Sequence, residues 1–486
     1  MKVLLIQPNQ GTSFGISKIV TTEPLGLESI ASPLIEHGHD VRILDLKVEK
    51  RRRLEEELRR FRPRAVGISC SFTTDVYSTV DIARFVKGFD RKAFVFVGGH
   101  HASLLPDDVL TDDVDAVCVG EGEATAAELA DRLEAGGDPA EVAGVLTRRS
   151  RREGLFRPRP LAKSIDDFPL PARHLTRHLR DHYHVGFDVP SATMETSRGC
   201  PFDCNFCSVW VFFNRKARVK DPERALEEIV AIEEDHIFFT DDIAFINRKE
   251  SEKLALMLKH EGVKKQYTAE TRADLIVRHK DLIALWREVG LKTLFIGIEK
   301  VDDEGLKSVN KRTTSSINEQ ALDYVRSIGI HPIATFIVDP AFDEEDFDKL
   351  ERYVAAHELA GPTFTILTPL PGTEVYEERK DELTTRNYYF YDLLHAVLPT
   401  RLPLERFYER YAALFNYGHV SSKLNLRFLS KILAKLSRHN VGVALKVFNL
   451  MRMMRNPSKY MELHHRYAVY GRTRQDDRVH SEATAV

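Results

Sequence analysis

Short apolar runs alternate with amphipathic stretches from the start of the chain to about residue 375, the pattern of parallel strands joined by helices. Val3 to Ile6, Val41 to Leu44, Ala65 to Ser69, Ala93 to Val97 and Ala116 to Val119 are four or five residues long, which suits strands covered on both faces. Leu27, Ile30, Ala31, Leu34 and Ile35 share one helical face, and Gly38 is placed to end that helix. This predicts an α/β fold beginning with a doubly wound parallel sheet. From Arg148 to Arg173 the periodicity lapses into an arginine- and proline-rich strap with Pro158, Pro160, Pro169 and Pro171. Six more strands follow, near Ala192 to Thr196, Ile237 to Thr240, Gln266 to Glu270, Thr293 to Ile298, Ile333 to Val338 and Phe364 to Thr368, a count that suits a partial (β/α)6 barrel. Past Asn387 helical stretches take over. The expected organisation is a sheet domain over 1–147, a linker over 148–190, a barrel over 191–386, a helical region over 387–472 and a disordered tail over 473–486.

Composition narrows the function classes. With 70 Lys and Arg against 73 Asp and Glu, a net charge of -3 gives no reason to expect a nucleic-acid partner. The initial apolar run of four residues is too short for a secretory signal, and no segment approaches the roughly 20 apolar residues that span a bilayer. A cytoplasmic location is expected, where thiols stay reduced. Between residues 420 and 466 ten Lys or Arg face one acid, Glu462, and Lys423, Arg427, Lys431 and Lys435 share a helical face. Such a helix suits peripheral contact with the inner membrane surface, or forms a solvated outer face.

Candidate chemistry concentrates in Cys200-Pro201-Phe202-Asp203-Cys204-Asn205-Phe206-Cys207, three of only five cysteines. A closed iron-sulfur cluster needs four thiolates, so three leave one iron open to another ligand. A closed zinc site completed by His182, His184 or His236 is the alternative, although zinc motifs usually present paired knuckles. The motif begins four residues after the first barrel strand, at the strand ends where barrel chemistry lies. Cys70 and Cys118 sit in apolar strands and read as packing residues.

Polar and glycine-rich segments end the other strands. Gln7-Pro8, Ser69-Cys70-Ser71-Phe72, Gly98-Gly99-His100-His101 and Gly120-Glu121-Gly122 follow strands of the first sheet, where a doubly wound fold binds ligands. No G-x-G-x-x-G follows the first strand, which argues against a nicotinamide site. In the barrel the corresponding groups are Asp241 and Asp242, Glu270 and Arg272, and Glu299; each carboxylate could instead cap the next helix.

The spacing Cys-x-x-x-Cys-x-x-Cys, with an aromatic residue before the last cysteine, resembles the radical SAM enzymes. With Pro24-Leu25-Gly26-Leu27, Gly98-Gly99-His100 and Gly120-Glu121-Gly122-Glu123 ahead of it, the chain looks like the cobalamin-dependent members of that group. The resemblance covers about residues 1 to 375. It implies a [4Fe-4S] cluster on Cys200, Cys204 and Cys207 whose open iron chelates S-adenosylmethionine. Asp241 or Asp242 would stand in for the family's glycine and glutamate pair, and Glu270 and Arg272 would reach the ribose and carboxylate. Gln7, Pro8, Ser69, Ser71, Gly98, Gly99, His100, Gly120, Glu121 and Gly122 would line a cobalamin site. The Asp-x-His-x-x-Gly segment that offers a histidine to cobalt elsewhere is absent, so no lower axial ligand is assigned.

The implied reaction is hydrogen abstraction by a 5'-deoxyadenosyl radical, then methyl transfer from methylcobalamin, with no protein catalytic residue assigned. Phe336-Ile337-Val338-Asp339-Pro340 and Phe364 to Thr373 look most like the hopanoid C-3 methylases, which implies a lipid substrate and an electron donor such as flavodoxin or ferredoxin. Three alternatives stand beside this: an oxidative cyclase like the anaerobic magnesium-protoporphyrin ester cyclases, a methylase of another natural product, and a non-enzymatic iron-sulfur protein.

Overall fold

The structure, a computed structural model, describes residues 1–9, 20–186, 188–417 and 449–470. The chain forms two compact units. One holds the chain start, Thr22–His182 and Val211–Asn214; the other holds Tyr183–Trp210 and the chain from Arg215 onward.

The first unit is built on six strands: β1 (Lys2–Gln7), β2 (Asp40–Asp45), β3 (Ala65–Ser69), β4 (Phe94–Gly98), β5 (Ala116–Cys118) and β6 (Val145–Thr147). Their order is β2-β1-β3-β4-β5-β6, and every pairing is parallel except β5 with β6. Order reverses between β1 and β3, which places the switch point where Gln7 and Ser69 end their strands. Val3, Leu4, Leu5 and Ile6 are at most 1% exposed, because helices cover both sheet faces. Helix α1 (Leu25–Glu36) buries Leu27, Ala31 and Leu34, while Ile35, expected on the same face, is exposed. Gly38 adopts φ +82° and ends the helix as its position predicted.

Much of the expected linker packs within the first unit. Residues through His182 belong to the first unit, and Glu23 and Glu28 at the start of α1 are buried against Arg173 and Arg180. Arg173 Nη1 donates to Glu23 Oε1 at 2.5 Å, and the Thr176 hydroxyl donates to Glu28. Removing one member of such a buried ion group costs about 3–5 kcal/mol, because its partner is left charged and desolvated.

The second unit is a curled sheet of six parallel strands in sequence order: β7 (Ser191–Met194), β8 (His236–Phe239), β9 (Gln266–Arg272), β10 (Leu291–Glu299), β11 (His331–Val338) and β12 (Thr363–Ile366). Alternate residues face outward into the helix layer: Tyr267 and Ala269, then Leu294, Ile296 and Ile298, then Ala334, Phe336 and Val338. The opposite set faces the lumen. His236 lies among these inward residues, its ring nitrogens 2.9 Å from Ser191 Oγ and Thr268 Oγ1 across three strands.

The region after Asn387 forms part of the barrel core. Ile366 N donates to Leu393 O at 2.7 Å, Tyr411 Oη donates to Phe364 O at 2.8 Å, and Tyr408 stacks on Tyr460 at 5.2 Å. The basic positions Lys423, Arg427, Lys431 and Lys435, and the tail from residue 473, lie outside the described residues. Among the described residues no helix is long and apolar enough to cross a membrane.

Candidate active site

The three-cysteine loop springs from the end of β7 and is closed at its base by a short antiparallel pairing of Ser197–Arg198 with Arg218–Val219. Four sets of contacts hold it. Asn205 Nδ2 donates to Ser308 O at 2.9 Å, and Asn310 Nδ2 donates to Asp203 O at 2.8 Å. Asp203 is held by Arg312 at 2.6 Å and Arg215 at 3.2 Å. Phe206, the aromatic residue before the last cysteine, packs on Ile337, Leu367 and Val375. The Pro-Leu-Pro-Gly-Thr turn after β12 supplies the last set: Thr373 caps the following helix, and Val375 N donates back to Asn205 O at 3.1 Å.

Arg272, at the end of β9, gathers this loop. Its guanidinium lies 3.9 Å from the Phe202 ring centroid and 3.7 Å from Cys204 Sγ, and donates to Asp274 at 2.8 Å and to Lys311 O. Loss of solvation raises the Cys200 and Cys207 thiols, the latter to about 12, so a bound metal group must displace their protons. The donor set fits an iron-sulfur cluster: three sulfurs on one clamped loop with a guanidinium beside one of them. His236, offered by the zinc alternative, is instead engaged with Ser191 and Thr268.

The acids at the strand ends do not cap helices. Asn247, Asp302 and Asp343 cap the helices after β8, β10 and β11. Asp241 is buried and accepts from Thr196 N at 2.6 Å, Thr196 Oγ1 at 2.5 Å and Ser197 Oγ at 2.8 Å, which pins the take-off of the cysteine loop. Asp242 accepts from Gly199 N at 2.7 Å, next to Cys200. Burial pushes both carboxyls up to about 6.

Glu299, left-handed at φ +62°, forms a buried pair with Lys311 at 2.7 Å. Burial, the largest single influence, depresses the Lys311 ammonium, but the Glu299 charge and hydrogen bond together with the nearby Cys204 outweigh it and raise the pKa. A side chain at Gly297 would collide with Glu299 Oε1 and with Lys311 Nζ at 2.6 Å, so the glycine makes room for this pair. Lys311, Asn310 and Phe202 are absent from the sequence-derived site. Lys311 stands twelve residues beyond Glu299 in an irregular turn, with no local pattern to mark it.

Glu270 points into the lumen, where its side chain has an open face although the sheet wall surrounds it. Enclosure, then the Glu299 charge, pushes its carboxyl from 4.5 to about 7, and water on the open side moderates the effect of burial. Beside it the inward Phe238 and Phe295 rings lie 6.1 Å apart and are half-buried, as are Thr293, Ile333, Thr335, Thr363 and Thr365. Half-exposed side chains along the inner face describe a hollow lumen rather than a filled core.

In the first unit Gln7, Ser69, Gly98 and Gly120 end or follow neighbouring strands on one sheet edge. Ser69 Oγ is 3.2 Å from Ser71 Oγ, Pro8 is buried, and Phe72 is 61% exposed on this edge. Gly99 has φ +116°, and a Cβ there would meet the Cys70 carbonyl at 2.8 Å. His100 opens helix α2 (His100–Leu104), and burial holds its imidazole at about 4 and therefore neutral. His101 faces Thr73 Oγ1 at 3.1 Å and Asp108 at 3.0 Å, contacts that secure the loop. Glu121 accepts from Ala162 N at 2.9 Å and so ties down the strap, while Gly122 packs close to Ile30. Cys70 and Cys118 are buried, the Cys118 thiol pushed up to about 12, in keeping with packing roles.

Comparison with known proteins agrees with this geometry. Residues 20–130 match the B12 binding domain, and residues 194–389 match the radical SAM superfamily. A hopanoid C-3 methylase of Methylococcus capsulatus is 38% identical over 413 residues, 84% of this chain and 78% of that protein. An uncharacterised methyltransferase of Pyrococcus horikoshii is 30% identical over 82% of this chain and 88% of its own length. The fold is shared with OxsB, a cobalamin-dependent S-adenosylmethionine radical enzyme (TM-score 0.67, 17% identity, 97% of this chain and 75% of that one). It is also shared with the methyltransferase TsrM from Kitasatospora setae (TM-score 0.63, 15% identity, 96% and 99%). The chain belongs to the cobalamin-dependent radical SAM enzymes and is a methyltransferase that uses cobalamin, S-adenosylmethionine and a [4Fe-4S] cluster.

Proposed function

We propose that the protein methylates an unactivated carbon of a hopanoid lipid, at C-3 of its ring system. The observation that carries this reading is the lining of the lumen beside a 38% identity to a hopanoid C-3 methylase. Phe238, Phe295 and Ile333 with four threonines offer apolar and hydroxyl surface, and Glu270, its carboxyl pushed up to about 7 by burial, is the acid among them. Such a wall suits a rigid hydrocarbon and gives a multiply charged substrate little to bind.

In this reading Cys200, Cys204 and Cys207 hold the cluster, and Arg272 packs beside Cys204. Asp242, Glu270 and Glu299 orient S-adenosylmethionine, while Asp241 holds the loop from behind. The first-unit edge from Gln7 to Gly122 holds cobalamin. When bound, these groups supply a 5'-deoxyadenosyl radical and a transferable methyl group. The residues of the chain align the target carbon and keep water from the lumen. A flavodoxin- or ferredoxin-type donor supplies the electron.

Anaerobically reconstituted protein, given reductant, S-adenosylmethionine and a desmethyl hopanoid, should yield a lipid heavier by one methyl group. Nucleoside products without a methylated lipid would reject the substrate. Relatives among the anaerobic magnesium-protoporphyrin ester cyclases, 28% identical over 70% of this chain, favour a second reading. It predicts an oxidised tetrapyrrole with no added carbon.

A further inference from the structure

Immediately after the cysteine loop the chain makes a tight four-residue excursion. Trp210 and Arg215 close its base, with Arg215 N donating to Trp210 O at 2.8 Å and the Arg215 guanidinium 4.8 Å from the Trp210 ring centroid. That base is fastened to the cysteine loop, since Trp210 Nε1 donates to Cys204 O at 3.0 Å and Arg215 pairs with Asp203 at 3.2 Å. Asn214 and Arg215 both adopt left-handed φ, 50° and 57°, which reverses the chain.

The tip, Val211–Asn214, belongs to the first unit. There the Phe212 ring stacks on His100 at 4.8 Å with planes 23° apart, and Phe213 meets Phe212 edge-on at 4.7 Å. Phe213 is 8% exposed, whereas Phe212 and His100 are half-buried and keep surface available. His100 follows the Gly98–Gly99 turn on the sheet edge already assigned to cobalamin. Two uncharged stacked rings present a flat, polarisable surface of the kind a large conjugated macrocycle packs against. His100 belongs to that edge, whereas Phe212 has no role in the reading given above.

We propose that Phe212 is a positioning residue for cobalamin: stacked on His100, it forms part of the surface that seats the corrin ring, and its rigid base on the Cys204 loop makes that seating depend on an assembled cluster. Phe212 stands five residues after Cys207, so ordering of the loop by iron is passed along a short, hydrogen-bonded stretch. Neither the substrate nor turnover enters this claim.

The test is a titration of the full-length protein with hydroxocobalamin, followed by protein fluorescence quenching and the visible spectrum, before and after cluster reconstitution. Wild type should bind more tightly once the cluster is assembled. Phe212→Ala, at matched iron content, should bind about tenfold more weakly and lose the cluster dependence, while Phe212→Tyr should stay within about threefold of wild type. His100→Ala removes the other half of the stack and should reproduce the Phe212→Ala result, which guards against a local folding defect in one variant. Wild-type affinity in Phe212→Ala, or cluster dependence that survives in it, would overturn the proposal. Failure to methylate a hopanoid leaves these titrations unaffected, so the two readings fail separately.

Discussion

The two units use one device, parallel strands with polar and glycine-rich loops at their carboxyl ends, yet they arrive at different kinds of site. In the first unit both sheet faces are buried and the open surface is the strand edge, so a ligand sits on top. In the second unit the sheet curls, its outer face is buried and its inner face stays half-exposed, so a ligand enters the sheet itself. In the proposed function the contrast separates a shelf for a large cofactor from a chamber for the carbon that reacts. It also separates how substitutions should act.

The sharpest break should come from the cysteine loop. Cys204→Ala should reduce 5'-deoxyadenosine formation by at least about 10³-fold, as expected when an interaction needed in the reactive step is lost. Cobalamin should still bind the first unit, though more weakly for want of the cluster. Residual deoxyadenosine near wild type would show that the loop does not hold the reactive cluster. Gly99→Ala should do the converse. The strained φ and the clash with the Cys70 carbonyl should destabilise the first unit by about 1–3 kcal/mol and impair cobalamin binding, with iron incorporation intact. Denaturant melts read beside iron content would check this, and a melt like wild type would contradict it.

Phe295→Ala addresses the chamber. Removing one of the facing rings should raise KM for the lipid about tenfold and raise the ratio of deoxyadenosine to methylated product. An unchanged ratio would remove Phe295 from the substrate surface. The smallest effect expected is that of Glu270→Gln. A carboxyl whose pKa rises from 4.5 to about 7 on folding stabilises the fold while protonated and withdraws that contribution as pH climbs through about 7. Wild-type Tm should therefore fall more steeply than that of the variant between about pH 5 and 8. Parallel Tm profiles would place Glu270 in ordinary solvent.

The same contrast explains what could be read from the sequence. Strands of the first sheet such as Val3 to Ile6 are legible as continuous apolar runs, those of the second by apolar residues recurring at alternate positions, and the cysteine loop by its local spacing. The antiparallel Val145–Thr147 strand was missed, being three residues long at the mouth of an arginine-rich segment. The strap is legible from its prolines and arginines, but its anchors are not, because Glu23 and Glu28 lie about 150 residues from Arg173 and Arg180. The helical pattern after Asn387 is legible, but not that Tyr408, Tyr411 and Tyr460 join the barrel core. Aromatic residues at helical spacing do not reveal which surface they cover. Lys311 and the Phe212 excursion escaped for a related reason: each acts through a contact made only after the chain has turned.

The most direct test of the central claim uses S-adenosylmethionine carrying a deuterated methyl group with the anaerobically reconstituted protein and its lipid. The account predicts 5'-deoxyadenosine and S-adenosylhomocysteine in equal amounts, with the labelled methyl group on the product. A sample with an intact cluster and bound cobalamin that forms neither nucleoside would contradict it.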